Sequence, residues 1–250
     1  MANIDNCLNV KRLSKNYGAK KVLNDVSITL NYGETVALIG ANGAGKSTFI
    51  KALLGLVNST YEELSFFGQE HRLNQNYLKK VGYLPEVSGF WSELSAQALL
   101  SYMSRLKGVE SIVVPKRTKT LLQAFGLWKR SQGIMGSYSK GMLQRSGLAQ
   151  TLINDPDFII LDEPMSGLDP RAQENLRHVV SQLKKRGKTI LISSHSLGDV
   201  QQLCDRVLVL ENGSLILDGK TKDVLVQVQQ KYQNNEPWDE DPIVTWNGQL

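Results

Sequence analysis

The sequence has little cysteine and no long apolar run. Its 2 cysteines, Cys7 and Cys204, are too few and too far apart for a disulfide framework or a zinc site. No apolar run approaches the roughly 18 residues that a bilayer-spanning helix needs. Residues 1–9 also lack a basic segment followed by an apolar one. We therefore expect two buried thiols in a reducing compartment and a chain that stays in the cytosol.

In its other residues the composition is that of a globular chain with a net positive charge. Hydrophobic residues make up 41% of the 250 residues and charged residues 21%, which suits one large domain or a domain with a small lobe. The net charge is +5, although four acids and no basic residue follow Lys231. This balance suits an anionic ligand, a membrane surface or nucleic acid, and it does not choose among them.

Residues 40–47, here named the phosphate loop, read Gly-Ala-Asn-Gly-Ala-Gly-Lys-Ser and match a phosphate-binding pattern. An apolar run at 35–39 precedes them, and helical apolar spacing at 48–54 follows, so the context is strand, loop and helix. Backbone N–H groups and the helix N-terminus would supply positive potential, Lys46 a charge for the outer phosphates, and Ser47 a hydroxyl for Mg²⁺. The alternative is a flexible turn with a solvated lysine.

Two carboxylates follow another apolar run. Residues 157–161 predict a buried parallel strand, and Asp162 and Glu163 come directly after it. Ligands of open α/β sheets bind beyond the carboxyl ends of strands. Because neighbours on a strand point opposite ways, we expect Asp162 to serve a metal ion and Glu163 to polarise a water. The alternative is a pair of solvated acids at a strand end.

Two further elements point toward the same chemistry. Residues 189–195 predict a buried strand that ends at His195, which is better placed than His71 or His178 to work on a phosphate. Ser139 is placed to cap the helix that follows it, with Gly141 beside it. The free N–H groups of such a helix start are either structural or a second anion-binding site.

The other segments predict an alternation of strands and helices around a helical insertion. Tyr17 lies in a polar connection, where it packs or stacks on a purine, and Pro85 ends a short strand and leaves Glu86 on a loop. The insertion covers residues 88–137, with helices at 94–106 and 118–125. The apolar face of the first helix is expected at 94, 98, 99, 102, 103 and 106, and Met103, Trp128 and Met135 are expected to pack in the core.

The sequence predicts several further strands and helices outside the insertion. Residues 26–30 alternate as a half-buried antiparallel strand, and a helix is expected from 171 to 185. A hairpin follows around Asn212-Gly213, a final helix begins at Thr221, and the segment from Gln233 is expected to be loosely ordered.

In this order, the pieces resemble the nucleotide-binding subunit of an ABC transporter over about residues 8–225. The resemblance rests on the phosphate loop, the helical insertion, Ser-x-Gly at 139–141, Leu-Asp-Glu-Pro at 161–164, Ser-Gly-Leu-Asp at 166–169 and His195. It implies an α/β P-loop NTPase core with a mainly parallel sheet, an N-terminal antiparallel β subdomain and a helical insertion. The ATPase domain would cover residues 1–232, with a helical subdomain at about 88–155, and an acidic tail would follow at 233–250.

The resemblance also implies a head-to-tail dimer that closes on two ATP molecules and opens on hydrolysis. Lys46, Glu163 and His195 would be catalytic, with Glu163 as general base and His195 linking it to the γ-phosphate. Mg²⁺ would be held near Ser47, Glu86 and Asp162. The nucleotide would be bound by Tyr17 at the adenine, by Gly40, Asn42, Gly43, Gly45, Lys46, Ser47 and Thr48 at the phosphates, and across the dimer by Ser139, Gly141 and Asp169.

Two positions depart from the family pattern. Glu86 stands where the family often has Gln, and residues 138–142 read Tyr-Ser-Lys-Gly-Met where it has Leu-Ser-Gly-Gly-Gln. A carboxylate at 86 can still approach Mg²⁺ and face a membrane partner. The two departures together resemble the branch in which an ATPase and a separate multi-span permease export drugs, polysaccharides or lipids or serve metalloenzyme maturation. This favours an exporter over a nutrient importer.

The implied partners are a transmembrane permease subunit and a second, identical or different, ATPase subunit, on the inner face of the cell membrane and without nucleic acid. The main alternative is a soluble member of the superfamily that acts on nucleic acid or ribosomes. The single phosphate loop and the lack of extended heptads speak against it. A P-loop kinase would leave the Ser139-Lys140-Gly141 element unexplained.

Overall fold

The computed structural model describes residues 6–71, 75–86 and 91–233. The predicted tail at 233–250 therefore lies, apart from Gln233, outside the described residues, as do residues 88–90 of the predicted insertion. The strands are β1 (Asn6–Tyr17), β2 (Lys20–Asn31), β3 (Thr35–Ile39), β4 (Glu63–Phe66), β5 (Gln69–Glu70), β6 (Val81–Leu84), β7 (Phe158–Leu161), β8 (Thr189–Ser194), β9 (Arg206–Glu211) and β10 (Ser214–Lys220). The α-helices are α1 (Lys46–Leu53), α2 (Ala96–Leu106), α3 (Val114–Ala124), α4 (Lys140–Thr151), α5 (Pro170–Lys185), α6 (Leu197–Leu203) and α7 (Thr221–Gln233).

The larger sheet has the strand order β10-β9-β3-β8-β7-β6 and is parallel except for the antiparallel pair β9–β10. Every residue of β3, β7 and β8 is buried, because other layers cover both faces of the sheet. This confirms the predicted mainly parallel sheet. Since β3 pairs with β8 so that Ile39 lies opposite Ser194, the phosphate loop and His195 leave the sheet side by side.

The smaller sheet is antiparallel, in the order β2-β1-β4-β5, which confirms the predicted antiparallel β subdomain. The 12-residue strand β1 was not predicted from the sequence. Tyr17 is the last residue of that strand, so the prediction that it lies in a connection is wrong by one position. The turn itself begins at Gly18, whose φ is 57°. A core between the two sheets includes Phe49, Ile50 and Leu53 of α1, which anchors the helix that follows the phosphate loop.

The helical lobe, defined here as α2 to α4, differs from the prediction in detail. Helix α2 begins at Ala96, capped by Ser95, and it buries Ala96, Leu99, Leu100 and Ser104. Tyr102 and Leu106 of the predicted apolar face are 51% and 60% exposed. The predicted face is right at Leu99, which is buried, and at Met103, which packs against the core. It is wrong at Tyr102 and Leu106, because apolar residues lie on more than one side of the helix. Ser104, which donates a hydrogen bond to the Leu100 carbonyl, takes a buried position that a hydrophobicity pattern does not mark.

Other parts of the lobe agree better. Helix α3 begins at Val114, four residues before the prediction, since Pro115 is well suited to a first helical turn. Met135 is buried, and Met103 and Trp128 pack against the same cluster, as predicted.

The remaining predictions of elements hold. Helix α5 starts at Pro170 and α7 at Thr221, while the short helix α6 was not predicted. The β9–β10 turn places Asn212 and Gly213 at φ 47° and 78°, as a two-residue hairpin requires. Both cysteines are free and buried, and burial raises the pKa of each thiol to about 12. Within the ranges that the structure describes, no helix combines the length and apolar character needed to span a membrane.

Candidate functional site

The phosphate loop folds around the side chain of Lys46. Its Nζ donates to the carbonyl oxygens of Gly40 at 2.7 Å and Ala41 at 3.2 Å, and it lies 3.6 Å from Oε1 of Glu163. Lys46 is 6% exposed, so the alternative of a solvated lysine on a flexible turn is wrong. The ammonium is a buried positive charge at the centre of the loop, which suits a phosphate.

The glycines of the loop are required for two different reasons. A Cβ on Gly40 would overlap the carbonyl oxygen of Leu210, and one on Gly45 would lie 2.9 Å from Cδ2 of Leu23. Gly43, at φ 81°, has no atom within 4 Å of a Cβ position, so it faces open space. Packing fixes the outer glycines, and the middle one leaves its backbone exposed to a bound anion. The loop therefore fits a phosphate group.

Asp162 is a buried carboxylate beside the start of α1. Its Oδ1 accepts hydrogen bonds from the hydroxyls of Ser193 at 2.6 Å and Ser47 at 3.2 Å. Asp162 is 1% exposed, and burial raises the pKa of its carboxyl although both hydroxyls act to lower it. A cation would offset the cost of burying this charge. Carboxylate and hydroxyl oxygens are ligands that Mg²⁺ prefers, so this pair fits that ion.

Glu163 leaves the strand in a left-handed conformation, with φ at 46°. Its N–H donates to Oγ of Ser193 at 2.8 Å, and its Oε2 lies 2.9 Å from Nδ1 of His195. Asp162 and Glu163 thus have different hydrogen-bond partners, and the different roles predicted for them stay a prediction. The expected cause, strand alternation, is wrong, because β7 ends at Leu161 and the turn at 163 directs the Glu163 side chain.

Most of the predicted residues meet in one cavity of about 660 Å³, here named the first cavity. Gly40 and Asp162 lie just behind its wall through their contacts with Lys46 and Ser47. The predicted residues that line the first cavity are Tyr17, Asn42, Gly43, Gly45, Lys46, Ser47, Thr48, Glu86, Glu163 and His195.

Ser139, Gly141 and Asp169 lie elsewhere, in a second cavity of about 790 Å³. The Ser139 hydroxyl caps α4 by accepting from the N–H of Met142 at 3.3 Å, as predicted. The Asp169 carboxylate caps α5 by accepting from the N–H of Ala172 at 2.9 Å. Two helix N-termini therefore face the second cavity, and neither belongs to the first.

Sequence reasoning missed several residues of the site. Ser193 joins Asp162 to the backbone of Glu163, and the only sign of it in the sequence is a small polar residue inside an apolar strand. Ser166 also lines the first cavity. Two distant hairpins also line the first cavity, through Lys20, Lys21, Val22, Asn212 and Gly213. The sequence predicted the turn at Asn212-Gly213 but gave no sign that it lies beside the phosphate loop.

Within the described ranges, no cluster of three or more His, Cys, Asp or Glu side chains could enclose a metal ion by itself. The Ser47–Asp162 pair supplies only two oxygen ligands. Mg²⁺ commonly binds through one or two protein ligands and completes its shell with phosphate oxygens and water. The donor set therefore suits a metal ion that arrives together with a nucleotide.

The known proteins that this chain resembles are ATP-binding proteins of ABC transporters. The sequence model of the family described as ABC transporter matches residues 23–166. An uncharacterized ABC transporter ATP-binding protein, sll0415 of Synechocystis, is 40% identical over 81% of this chain, which spans 58% of that protein's length. The lantibiotic transport ATP-binding protein SrtF of Streptococcus pyogenes is 37% identical over 91% of this chain and 96% of its own. The bacitracin transport ATP-binding protein BcrA of Bacillus licheniformis is 35% identical over 82% of this chain and 66% of its own length.

Two solved structures share the fold over nearly their whole length. The ATP-binding subunit of an ABC transporter matches with a TM-score of 0.81 and 34% identity, over 89% of this chain and 93% of that one. CbiO1 from Clostridium perfringens, part of the transporter complex CbiONQ, matches with a TM-score of 0.78 and 26% identity. The match covers 93% of this chain and 96% of CbiO1.

Proposed function

This chain belongs to the ABC transporter family of ATP-binding proteins, and we propose that it binds ATP with Mg²⁺ in the first cavity and hydrolyses it to power a separate membrane permease. The observation that carries the proposal is the meeting of three pairs in that cavity. Lys46 lies with the backbone of the phosphate loop, Ser47 with Asp162, and Glu163 with His195.

Binding follows from charge and shape. The phosphate loop and Lys46 hold the phosphates, Ser47 and Asp162 hold Mg²⁺, and Glu86 approaches the ion from the rim. Tyr17, which is 49% exposed at the edge of the first cavity, stacks on the adenine ring. When bound by Ser47 and Asp162, Mg²⁺ would neutralise charge that develops on the phosphates during transfer.

Hydrolysis needs a positioned water and a base. Glu163 is 9% exposed and its carboxylate lies between Lys46 and His195, so its orientation is fixed on both sides. Glu163 accepts a proton from the attacking water, and His195 contacts the γ-phosphate and holds the carboxylate in place. The chemistry is in-line displacement supported by positioning and charge.

A second ATPase subunit completes the site. Ser139, Gly141 and Asp169 face the second cavity, away from the first cavity of their own chain. In a head-to-tail dimer, each second cavity covers the nucleotide of the other subunit. The two subunits close on ATP and open after hydrolysis, and a homodimer suffices for this cycle.

The permease is a separate multi-span protein, and the direction of transport is export. CbiO1 belongs to a multi-component complex by its name, and the names of SrtF and BcrA assign them to lantibiotic and bacitracin transport. The exposed side chains of Tyr102 and Leu106 on α2 give the permease an apolar surface to contact. With such a partner, the chain would work at the inner face of the cell membrane. The relatives reported above give no support to the alternative role on nucleic acid or ribosomes.

The test has two parts. Affinity purification of the tagged chain from detergent-solubilised membranes should recover a multi-span protein. The purified chain should release phosphate from ATP only with Mg²⁺, and Lys46→Ala should abolish this while Lys116→Ala, an exposed lysine on α3, should not. Recovery of ribosomes or nucleic acid in place of a membrane protein would contradict the proposal, as would phosphate release that does not need Lys46.

A further inference from the structure

The hydroxyl group of Tyr83 on β6 is buried and unpartnered. Its oxygen is shielded from solvent and makes no hydrogen bond to any of the described residues. Buried hydroxyls normally have a hydrogen-bond partner, because an unpartnered one lowers the free energy of unfolding. Tyr83 lies on the strand that leads to Glu86 at the first cavity. This position suits a hydroxyl that gains its partner when a ligand binds there.

The larger sheet brings Tyr83 close to Asp162. Tyr83 lies opposite Ile160 in the parallel pair β6–β7, and both side chains pack into the core between the two sheets. The N–H of Asp162 donates to the carbonyl oxygen of Leu84 at 2.9 Å, so Asp162 lies directly beside the end of β6. Its carboxylate contacts Ser47 on α1, a helix that packs into the same core. The phenol and the carboxylate are therefore on the same face of neighbouring strands.

The charges of the site act on the Tyr83 hydroxyl. Burial raises its pKa, and the carboxylates of Asp162 and Glu86 raise it further. Both acids are thus close enough to influence the phenol. Because the hydroxyl keeps its proton, it can donate a hydrogen bond to a carboxylate oxygen.

The Asp162 carboxylate has one oxygen that can still accept a hydrogen bond. The hydroxyls of Ser193 and Ser47 both donate to Oδ1. In the part of the chain that the structure describes, no donor contacts Oδ2. Carboxylates that bind a metal ion are themselves oriented by hydrogen bonds from surrounding groups. An unpaired donor on β6 and an unpaired acceptor after β7 thus face the same layer of the protein.

We propose that Tyr83 is a positioning residue for the Mg²⁺ site, and that its hydroxyl donates to Oδ2 of Asp162 when the ion arrives with a nucleotide. The proposal rests on the ATP and Mg²⁺ site of the proposed function. Without the ion, the unpartnered hydroxyl destabilises the protein. With the ion, it holds the carboxylate in the orientation that binds metal. Removal of the hydroxyl should therefore stabilise the protein and weaken the metal site.

The experiment compares Tyr83→Phe with Thr118→Val, each in the full chain. Thr118 on α3 also carries a buried hydroxyl that makes no hydrogen bond within the described ranges, and it lies in the helical lobe. Differential scanning fluorimetry in chelator gives the melting temperature without metal. Binding of a fluorescent, non-hydrolysable ATP analogue, titrated with Mg²⁺, gives the Mg²⁺ concentration at half-saturation.

We expect both variants to melt about 2–4 °C higher than the parent in chelator, since each loses an unpartnered buried hydroxyl. Tyr83→Phe should raise the Mg²⁺ concentration at half-saturation about tenfold, as loss of a group that orients a metal ligand commonly does. Thr118→Val should leave this concentration unchanged. Binding of the analogue in chelator should be equal in all three proteins, because the phosphate loop is intact.

An unchanged Mg²⁺ requirement in Tyr83→Phe would overturn the role of Tyr83 and leave the metal site standing. A lower melting temperature of Tyr83→Phe in chelator would also overturn this role, because the hydroxyl would then have a partner before the ion binds. A parent protein that binds the analogue equally well with and without Mg²⁺ would overturn the proposed metal site, and the role of Tyr83 with it.

Discussion

Nδ1 of His195 lies 2.9 Å from Oε2 of Glu163, while the other carboxylate oxygen of Glu163 lies 3.6 Å from Nζ of Lys46. The three residues come from the ends of different parallel strands and from the helix after the phosphate loop. Glu163 is thus held between two nitrogen groups at the edge of the phosphate loop. A carboxylate fixed in this way is suited to orient one water molecule.

Glu163→Gln should retain ATP and lose turnover by about 10²–10⁴-fold, because it removes the base and preserves the shape of the side chain. The variant should also accumulate as a dimer with Mg-ATP. Phosphate release and analytical ultracentrifugation measure the two effects. Glu174→Gln, whose carboxylate is exposed and pairs with Arg177 on α5, is the control and should turn over normally. Near-normal hydrolysis by Glu163→Gln would refute the role of Glu163.

Asp162→Asn should stabilise the metal-free protein. Burial raises the pKa of Asp162, so its contribution to stability is present below the ordinary carboxyl pKa and is lost as the pH rises through the raised value. At neutral pH the variant should have a higher melting temperature than the wild type, by about 2–4 °C for each kcal/mol gained in the free energy of unfolding. The difference in melting temperature between the variant and the wild type should disappear in acid, where Asp162 is protonated.

Differential scanning fluorimetry in chelator at several pH values measures this effect. Mg-ATP should reverse the order, because only the wild type gains from Mg²⁺. A metal-free variant that melts lower than the wild type at neutral pH would contradict the argument from burial.

Ser193→Ala should lower the free energy of unfolding by about 1–3 kcal/mol. The substitution leaves the buried N–H of Glu163 without a partner and removes one of the hydrogen bonds that the Asp162 carboxylate accepts. The Mg²⁺ concentration for half-maximal hydrolysis should rise as well. Ser194→Ala is the control, because that hydroxyl is also buried but accepts from the N–H of Ser196. It should lose some stability and keep its Mg²⁺ dependence. Equal Mg²⁺ dependence in both variants would argue against a role for Ser193 at the metal.

Gly213→Ala should destabilise the protein and weaken nucleotide binding. A Cβ there would overlap the carbonyl oxygen of Val22 and lie 2.8 Å from its carbonyl carbon, next to the first cavity. Gly187→Ala is a matched control, since Gly187 has a similar φ of 73° and no atom within 4 Å of its Cβ position. The control should cost about 1 kcal/mol, the usual cost of the left-handed conformation, and Gly213→Ala about 1–3 kcal/mol more. Urea denaturation of both variants would show similar losses if the close approach to Val22 is unimportant.

The sequence was informative where function depends on local pattern. The phosphate loop, the acids after β7 and His195 after β8 each follow a buried strand, and parallel strands bring their carboxyl ends together. It was less informative where position depends on packing between distant segments. The exposed side of Tyr102, the inward position of Ser193 and the contribution of Asn212 are set by contacts that no local window contains.

The turn of the β9–β10 hairpin holds the phosphate loop in place. The N–H of Gly213 donates to the carbonyl oxygen of Ala44, and its carbonyl oxygen accepts from the N–H of Asn24. One residue late in the chain thus completes hydrogen bonds for two early segments. A fragment that carries the loop but stops short of this hairpin would lack that support, so the loop is not a module that can be excised or transplanted with its neighbours in sequence alone.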